Sequence, residues 1–129
     1  MKPLHLLITD DDLDKRTLLA RAVSREFPHA SVFECHSGQE ALEYCAGNRV
    51  DAVITNHNMY PVNGIELVTT LRRCGSMVPI IMISGHPGVR AEAEAAGVDL
   101  FLEWNEPSGI GKPIAEFLKR RGLRDRVEP

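Results

Sequence analysis

The feature that most constrains this chain is the regular alternation of short apolar runs with segments of helical periodicity. Five runs have the length of a strand, and two of them, Ala-Val-Ile-Thr and Ile-Ile-Met-Ile, are almost continuously apolar. Such runs are typical of parallel strands that are covered on both faces. The alternation therefore predicts βαβ units around one parallel sheet.

Turn and capping residues indicate where the predicted strands and helices begin and end. The predicted strands are residues 4–9, 30–35, 51–56, 79–84 and 100–103. The predicted helices are residues 13–27, 38–46, 64–74, 89–96 and 112–121. Pro28 stops the first helix, Gly75 and Gly97 follow the third and fourth as C-terminal stops, and Ser37 with Glu40 predicts a capping box on the second. Five strands alternating with five helices predict a doubly wound, flavodoxin-like α/β sheet of order 2-1-3-4-5.

Length and composition place the chain among ordinary globular proteins. Its 129 residues, 43% hydrophobic and 26% charged, predict one domain over residues 1–121, and residues 122–129 are expected to form a frayed, charged tail. A net charge of −3 without a basic, aromatic-rich patch argues against direct nucleic-acid binding. No apolar run reaches about 18 residues and the start of the chain lacks the pattern of a signal peptide, so we expect no contact with membranes and a cytoplasmic location. Three cysteines without metal-ligand spacing are expected to be reduced.

Polar residues follow two predicted strands where a doubly wound sheet binds its ligands. Asp10, Asp11 and Asp12 follow the first strand, and Asn56 ends the third. Two adjacent carboxylates, Asp10 and Asp11, suit a hard cation that prefers oxygen ligands. Alternatively, acids here stabilise the start of the first helix, which describes Asp12 and Asp14.

Four segments together make the chain similar to the receiver domains of response regulators. The resemblance covers residues 4–121 and is carried by Leu-Leu-Ile-Thr-Asp-Asp-Asp, Asp-Ala-Val-Ile-Thr-Asn-His-Asn-Met-Tyr-Pro-Val-Asn-Gly, Pro-Ile-Ile-Met-Ile-Ser-Gly and Ala-Gly-Val-Asp-Leu-Phe-Leu. It implies a CheY-like fold, no enzymatic activity, and a magnesium pocket at Asp10 and Asp11 that need not be occupied.

The resemblance also implies that Asn56 stands at the position of the family's phosphoacceptor aspartate. Met59 and Gly64 follow it at the family's spacing, although Tyr60 replaces the usual proline. A carboxylate can attack phosphorus, but a carboxamide cannot do so at a useful rate. The chain thus resembles a receiver that has lost its phosphoacceptor.

The remaining pocket positions are implied in the same way. Ser84, at the end of the fourth strand, and Phe101, on the fifth, match the family's two switch positions. A serine that begins a turn and a phenylalanine of the core are the ordinary alternatives.

The pocket lysine is expected seven residues after Gly97, where this chain has Trp104. Either Trp104 replaces the lysine, or residues 103–111 form an inserted loop and Lys112 returns to the site. In the first case, losing the acceptor carboxylate and the lysine together leaves the formal charge of the pocket unchanged.

These expectations converge on an atypical two-component, phosphorelay regulator that acts by protein contact. Its expected partners are a histidine kinase, a phosphotransfer protein or another receiver, including a homodimer through the face of helix 4, strand 5 and helix 5. One alternative is a receiver that is phosphorylated at Asp11 or that uses Lys112. Remote alternatives are a phosphatase-like enzyme with Asp10 as nucleophile and a transition-metal site of Asp10, Asp11 and His86.

Overall fold

A computed structural model describes residues 2–104 and 109–127 as five strands and five helices. The strands are β1 (His5–Thr9), β2 (Ser31–Cys35), β3 (Ala52–Thr55), β4 (Ile80–Ser84) and β5 (Leu100–Glu103). The helices are α1 (Leu13–Glu26), α2 (Gly38–Gly47), α3 (Gly64–Arg73), α4 (Arg90–Ala96) and α5 (Gly111–Arg120), and a 3-10 turn over Pro87–Val89 precedes α4.

All strands are parallel and lie in the order β2-β1-β3-β4-β5. The predicted doubly wound fold is therefore confirmed. Helices α1 and α5 pack together on one face of the sheet, and α2, α3 and α4 pack in sequence on the other. Every residue of β3 and β4 is buried, which explains their nearly continuous apolar sequences.

Apolar side chains form two clusters, one on each face of the sheet. Leu6, Ile8 and Ile54 point toward α1 and α5, whereas their strand neighbours Leu7 and Val53 point toward α2 and α3. This alternation follows from the two-residue period of a strand. Polar residues lie at the carboxyl ends of the strands, and Thr9, Asp10, Thr55 and Ser84 among them are buried.

The caps of α2 and α3 differ from the predicted ones. The Ser37 side chain caps α2 by accepting from the Glu40 N–H, but Glu40 accepts from the His36 N–H instead of closing the predicted capping box on Ser37. A complete capping box is present on α3 between Asn63 and Glu66.

Part of the predicted tail is packed rather than frayed. Gly122 has a positive φ of 83°, the N–H of Gly122 donates to the Lys119 carbonyl, and the N–H of Leu123 donates to the Leu118 carbonyl. These are the two hydrogen bonds of a Schellman motif, which closes α5 and turns Leu123 onto the core. Asp125 accepts from both the backbone N–H and Nδ1 of His29, at 3.0 and 2.7 Å.

The cysteines are free thiols in three different environments: Cys35 is buried, Cys45 is half-buried and Cys74 is exposed. Burial raises the pKa of the Cys35 thiol to about 12, and the carboxylate of Glu40 adds to the rise. Among residues 2–104 and 109–127, no helix has both the length and the apolarity needed to cross a membrane.

Candidate functional site

The carboxyl ends of β1 and β3 bring Asp10 and Asn56 side by side. The two strands are neighbours, with Thr9 paired to Thr55, and the Asn56 N–H donates to the Thr9 carbonyl at 3.0 Å. The residue after each strand therefore lies at the same edge of the sheet. This edge, where the connections from β1 and β3 run to opposite faces, is where doubly wound sheets bind ligands.

Asp10 is a buried carboxylate with only 4% of its surface exposed. Burial raises its pKa above the ordinary 3.8. The Asp12 N–H, which donates to Asp10 Oδ1 at 2.9 Å, opposes that rise, and the charge of Asp11 adds to it. Arg16 approaches from α1, but its Nη1 donates to the Asp10 backbone carbonyl, at 2.9 Å, and its Nε donates to Glu34.

The three consecutive acids have three different environments. Asp12 is the N-cap of α1 and accepts from the N–H groups of Asp14 and Lys15. The prediction that Asp12 serves the start of the helix is confirmed. Asp11, between the buried Asp10 and the cap, is exposed to solvent.

Asn56 directs its carboxamide toward the β1 loop. Its Nδ2 lies 3.5 Å from Asp10 Oδ1 and 3.2 Å from the Asn58 carbonyl oxygen. The backbone carbonyl of Asn56 accepts from the Thr55 hydroxyl at 2.8 Å. The amide thus links the loop after β3 to the loop after β1.

The segment from Asn56 to the start of α3 is closely packed. Met59 is buried, whereas Tyr60 is 86% exposed. The Gly64 N–H donates to the His57 carbonyl at 2.9 Å, and a Cβ on Gly64 would lie 2.3 Å from the Asn56 carbonyl oxygen. The spacing between Asn56 and Gly64 is therefore matched by a close backbone approach that only glycine permits.

Ser84 and Phe101 are both buried. The Ser84 hydroxyl oxygen accepts from the His86 N–H at 3.0 Å, which is the turn-forming alternative for this residue. Phe101 packs in the cluster beneath α3 and α4. Their roles as switch residues stay predictions.

Trp104 directly follows β5 at the same edge of the sheet. Its N–H donates to the Ser84 carbonyl at 3.0 Å, and its partly buried side chain packs against the cluster beneath α1 and α5. Lys112 is exposed in the first turn of α5. Residues 105–108 of the alternative inserted loop lie outside the described residues.

The end of β1 carries two carboxylates beside the Asn56 amide. Asp10 Oδ1 already accepts from a backbone N–H and faces that amide, and Asp11 is exposed to solvent. Magnesium prefers several oxygen ligands in octahedral geometry, and Asn56 presents N–H groups instead. In the part of the chain that the structure describes, no three His, Cys, Asp or Glu side chains come together as metal ligands, which also contradicts the alternative site with His86.

Arg16 and the Asn58 carbonyl are members of the site that sequence reasoning missed. Arg16 is the fourth residue of α1, directly after Lys15, and its side chain reaches back to the end of β1. No side-chain pattern can reveal a backbone carbonyl.

Comparison with known proteins identifies the class. The family described as the response regulator receiver domain matches residues 6–105. The chain belongs to this family, and it is a receiver of the two-component signalling type.

Individual relatives agree with this assignment. The chain is similar to the response regulator MprA of Mycobacterium sp. (strain KMS), with 35% identity over 132 residues that cover 98% of this chain and 53% of MprA. It is also similar to the cyclic di-GMP phosphodiesterase response regulator RpfG of Xanthomonas campestris pv. campestris (strain 8004), with 33% identity over 77% of this chain and 27% of RpfG. The chain thus spans about half or less of these relatives.

Solved structures show the same fold. A CheY-like response regulator receiver domain protein from Methanospirillum hungatei JF-1 superposes with a TM-score of 0.80 at 19% identity, covering 93% of this chain and 97% of that one. The response regulator TrrA from Thermotoga maritima, in complex with Mg(2+)-BeF, superposes with a TM-score of 0.79 at 21% identity, covering 89% and 98%.

Proposed function

We propose that this receiver regulates its partners by protein contact and is not phosphorylated at the usual site. The observation that carries this proposal is the carboxamide of Asn56, which follows β3 beside the buried Asp10. In this proposal Asn56 stands where the family has its phosphoacceptor aspartate. Because the amide nitrogen lone pair is delocalised and the amide is uncharged, the side chain can form hydrogen bonds but cannot act as the nucleophile.

A second substitution supports the same conclusion. Trp104 directly follows β5, whereas Lys112 is exposed on α5. We therefore assign Trp104 to the lysine position, so that the cation expected beside a phosphoryl group is replaced by an apolar side chain. Loss of one carboxylate together with one ammonium keeps the formal charge of the pocket. It removes both the nucleophile and the cation that would bind the phosphoryl group.

The face of α4, β5 and α5 is the contact surface that we assign to this receiver. Helix α4 carries one basic and two acidic residues, whereas α5 carries three basic residues and one acidic residue. A twofold axis along this face would place the acidic helix of one copy against the basic helix of the other. A homodimer is thus one partner arrangement; the others are a histidine kinase, a phosphotransfer protein or another receiver, in the cytoplasm.

The phosphorylation test is direct. The protein is incubated with acetyl phosphate and magnesium, and its intact mass is followed together with that of the Asn56→Asp variant. We expect an added phosphoryl group on Asn56→Asp and none on the parent. A stoichiometric adduct on the parent that maps to the strand ends would contradict the proposal.

One observation favours a second candidate, a receiver with a displaced acceptor. Asp11 is exposed at the end of β1 and is free to meet a phosphodonor. If an adduct forms on the parent and disappears in Asp11→Ala, this second candidate replaces the first. A phosphatase-like role for Asp10 is disfavoured, because that carboxylate is buried, has a raised pKa and already holds Oδ1 in hydrogen bonds.

A further inference from the structure

The carboxamide nitrogen of Asn56 lies between two oxygens from different loops. Asp10 Oδ1 is 3.5 Å away in the loop after β1, and the Asn58 carbonyl oxygen is 3.2 Å away in the loop after β3. A carboxylate and a backbone carbonyl that converge on one point are ligands typical of a hard cation. Here that point holds an N–H₂ group of the protein itself.

Only this orientation of the amide is chemically acceptable. If the amide were reversed, Asn56 Oδ1 would face two oxygens that can only accept when Asp10 is ionised. The backbone of Asn56 is also fixed on both sides, because its N–H donates to the Thr9 carbonyl and its carbonyl accepts from the Thr55 hydroxyl. The side chain therefore points its two donors into the space between the loops.

In the described part of the chain, no cationic side chain is hydrogen-bonded to the Asp10 carboxylate. The Arg16 guanidinium is engaged by the Asp10 backbone carbonyl and by Glu34. The negative charges of Asp11 and Asp12 raise the pKa of Asp10. Lys15 lowers that pKa, but its effect is smaller than the effects of burial and of Asp11. Two N–H groups thus face the buried carboxylate: the Asp12 N–H at 2.9 Å and, at the longer distance of 3.5 Å, the Asn56 amide.

We propose that the Asn56 amide replaces a bound cation and holds the β1 and β3 loops together without metal. The inference rests on the proposed function and deepens it: the pocket is closed in one metal-independent state. An aspartate at this position would instead add a carboxylate to Asp10 and Asp11 and would require a cation to offset the repulsion among them.

A magnesium titration of three proteins tests this: the parent, Asn56→Asp and Asn56→Ala. Thermal unfolding and Trp104 fluorescence are followed as magnesium rises into the millimolar range, since an ion that binds only the folded state raises Tm. We expect no shift of Tm for the parent and, for Asn56→Asp, a Tm that rises with the magnesium concentration. Asn56→Ala should unfold at a lower temperature without magnesium and recover part of that loss with it.

Asn58→Ala is the matched control, because it removes an exposed side chain of the same type and keeps the backbone carbonyl. It should behave as the parent, with no response to magnesium. A parent that gains as much Tm from magnesium as Asn56→Asp would overturn the inference. An Asn56→Ala variant that magnesium does not stabilise would also overturn it, since Asn56 would then be an ordinary loop contact.

The two proposals fail in different experiments. Magnesium binding by a parent that gains no phosphoryl group overturns the cation replacement and leaves regulation by contact standing. A phosphoryl adduct on the parent overturns the proposed function itself.

Discussion

At the scale of single residues, Gly64 is the position that least tolerates a side chain. An added Cβ would lie 2.3 Å from the Asn56 carbonyl oxygen and 2.9 Å from the His57 Cα, and neither backbone atom can move away cheaply. Gly64→Ala should therefore lower the free energy of unfolding by about 3 kcal/mol in urea titrations.

Gly47 provides the control for this change. It also lies in a helix, but a Cβ there would meet nothing within 4 Å. Gly47→Ala should leave stability unchanged or raise it by about 0.5 kcal/mol. Equal effects at the two glycines would show that the loop after β3 can move away from α3.

Asp10 makes stability depend on pH. Its pKa is raised in the folded state, mainly by burial, so the folded protein binds more protons than the unfolded chain once the pH exceeds the ordinary value of 3.8. The contribution of Asp10 to stability is therefore most favourable below 3.8 and is lost as the pH rises through its folded-state pKa. Asp10→Asn keeps an acceptor for the Asp12 N–H and should raise the free energy of unfolding at neutral pH, with the gain shrinking as the solution is acidified.

Asp14→Asn removes the same charge from an exposed position in the first turn of α1. A negative charge there favours the helix N-terminus, so this variant should lose about 0.5 kcal/mol at neutral pH. A gain in both variants would mean that the overall charge, and not the burial of Asp10, governs the effect.

The sequence predicted which residues gather at the site but not how they are bonded. Asp10 and Asn56 follow apolar runs, so parallel pairing alone brings them together. The direction of the Asn56 amide depends on the Asn58 carbonyl, and the position of Arg16 depends on the Asp10 carbonyl. These backbone groups are common to every sequence, so only the folded geometry reveals them.

At the scale of secondary-structure elements, Arg72 fastens the end of α3 to three other parts of the chain. Its guanidinium donates to the carbonyls of Gly97, Ser76 and Val78 at 2.8–3.2 Å and to Asp99 at 3.0 Å. Arg72→Met keeps the aliphatic stem and leaves those carbonyls without a donor. We expect it to lower the free energy of unfolding by about 3 kcal/mol, measured by urea unfolding.

The neighbouring Arg73 is exposed and provides the matched comparison. Arg73→Met removes the same charge from the same helix and should change stability by less than about 0.5 kcal/mol. A comparable loss in both variants would assign the effect to helix charge instead of to the contacts of Arg72.

The limits of the elements show where local signals suffice. Gly75 and Gly97 end α3 and α4 in left-handed conformations, as the sequence predicts, because no other residue adopts a positive φ so readily. The cap of α2 differs from prediction because His36 and Ser37 offer adjacent N–H groups, and only the folded loop selects which one Glu40 binds. The cap of α3 has a local signal, because Asn63 is followed three residues later by Glu66, the spacing of a capping box.

At the scale of the whole molecule, the alternation of apolar runs with helical segments accounts for the architecture of the sheet and its helices. Two apolar clusters, one on each face, stabilise the sheet. Of the residues at its carboxyl edge, Trp104 packs against the cluster beneath α1 and α5 and so contributes to the core as well as to the site.

Residues 122–125 extend the packed part of the domain beyond Arg121. The N–H groups of Gly122 and Leu123 close α5, Leu123 packs on the core, and Asp125 accepts two hydrogen bonds from His29. A chain that ends at Arg121 should therefore lose about 2 kcal/mol of unfolding free energy, because it exposes apolar surface and places a carboxylate at the end of the helix. A chain that ends at Asp125 keeps these contacts and should match the full chain in thermal and urea unfolding. If both truncated chains match it, the domain ends at residue 121 and the packed tail adds nothing to its stability.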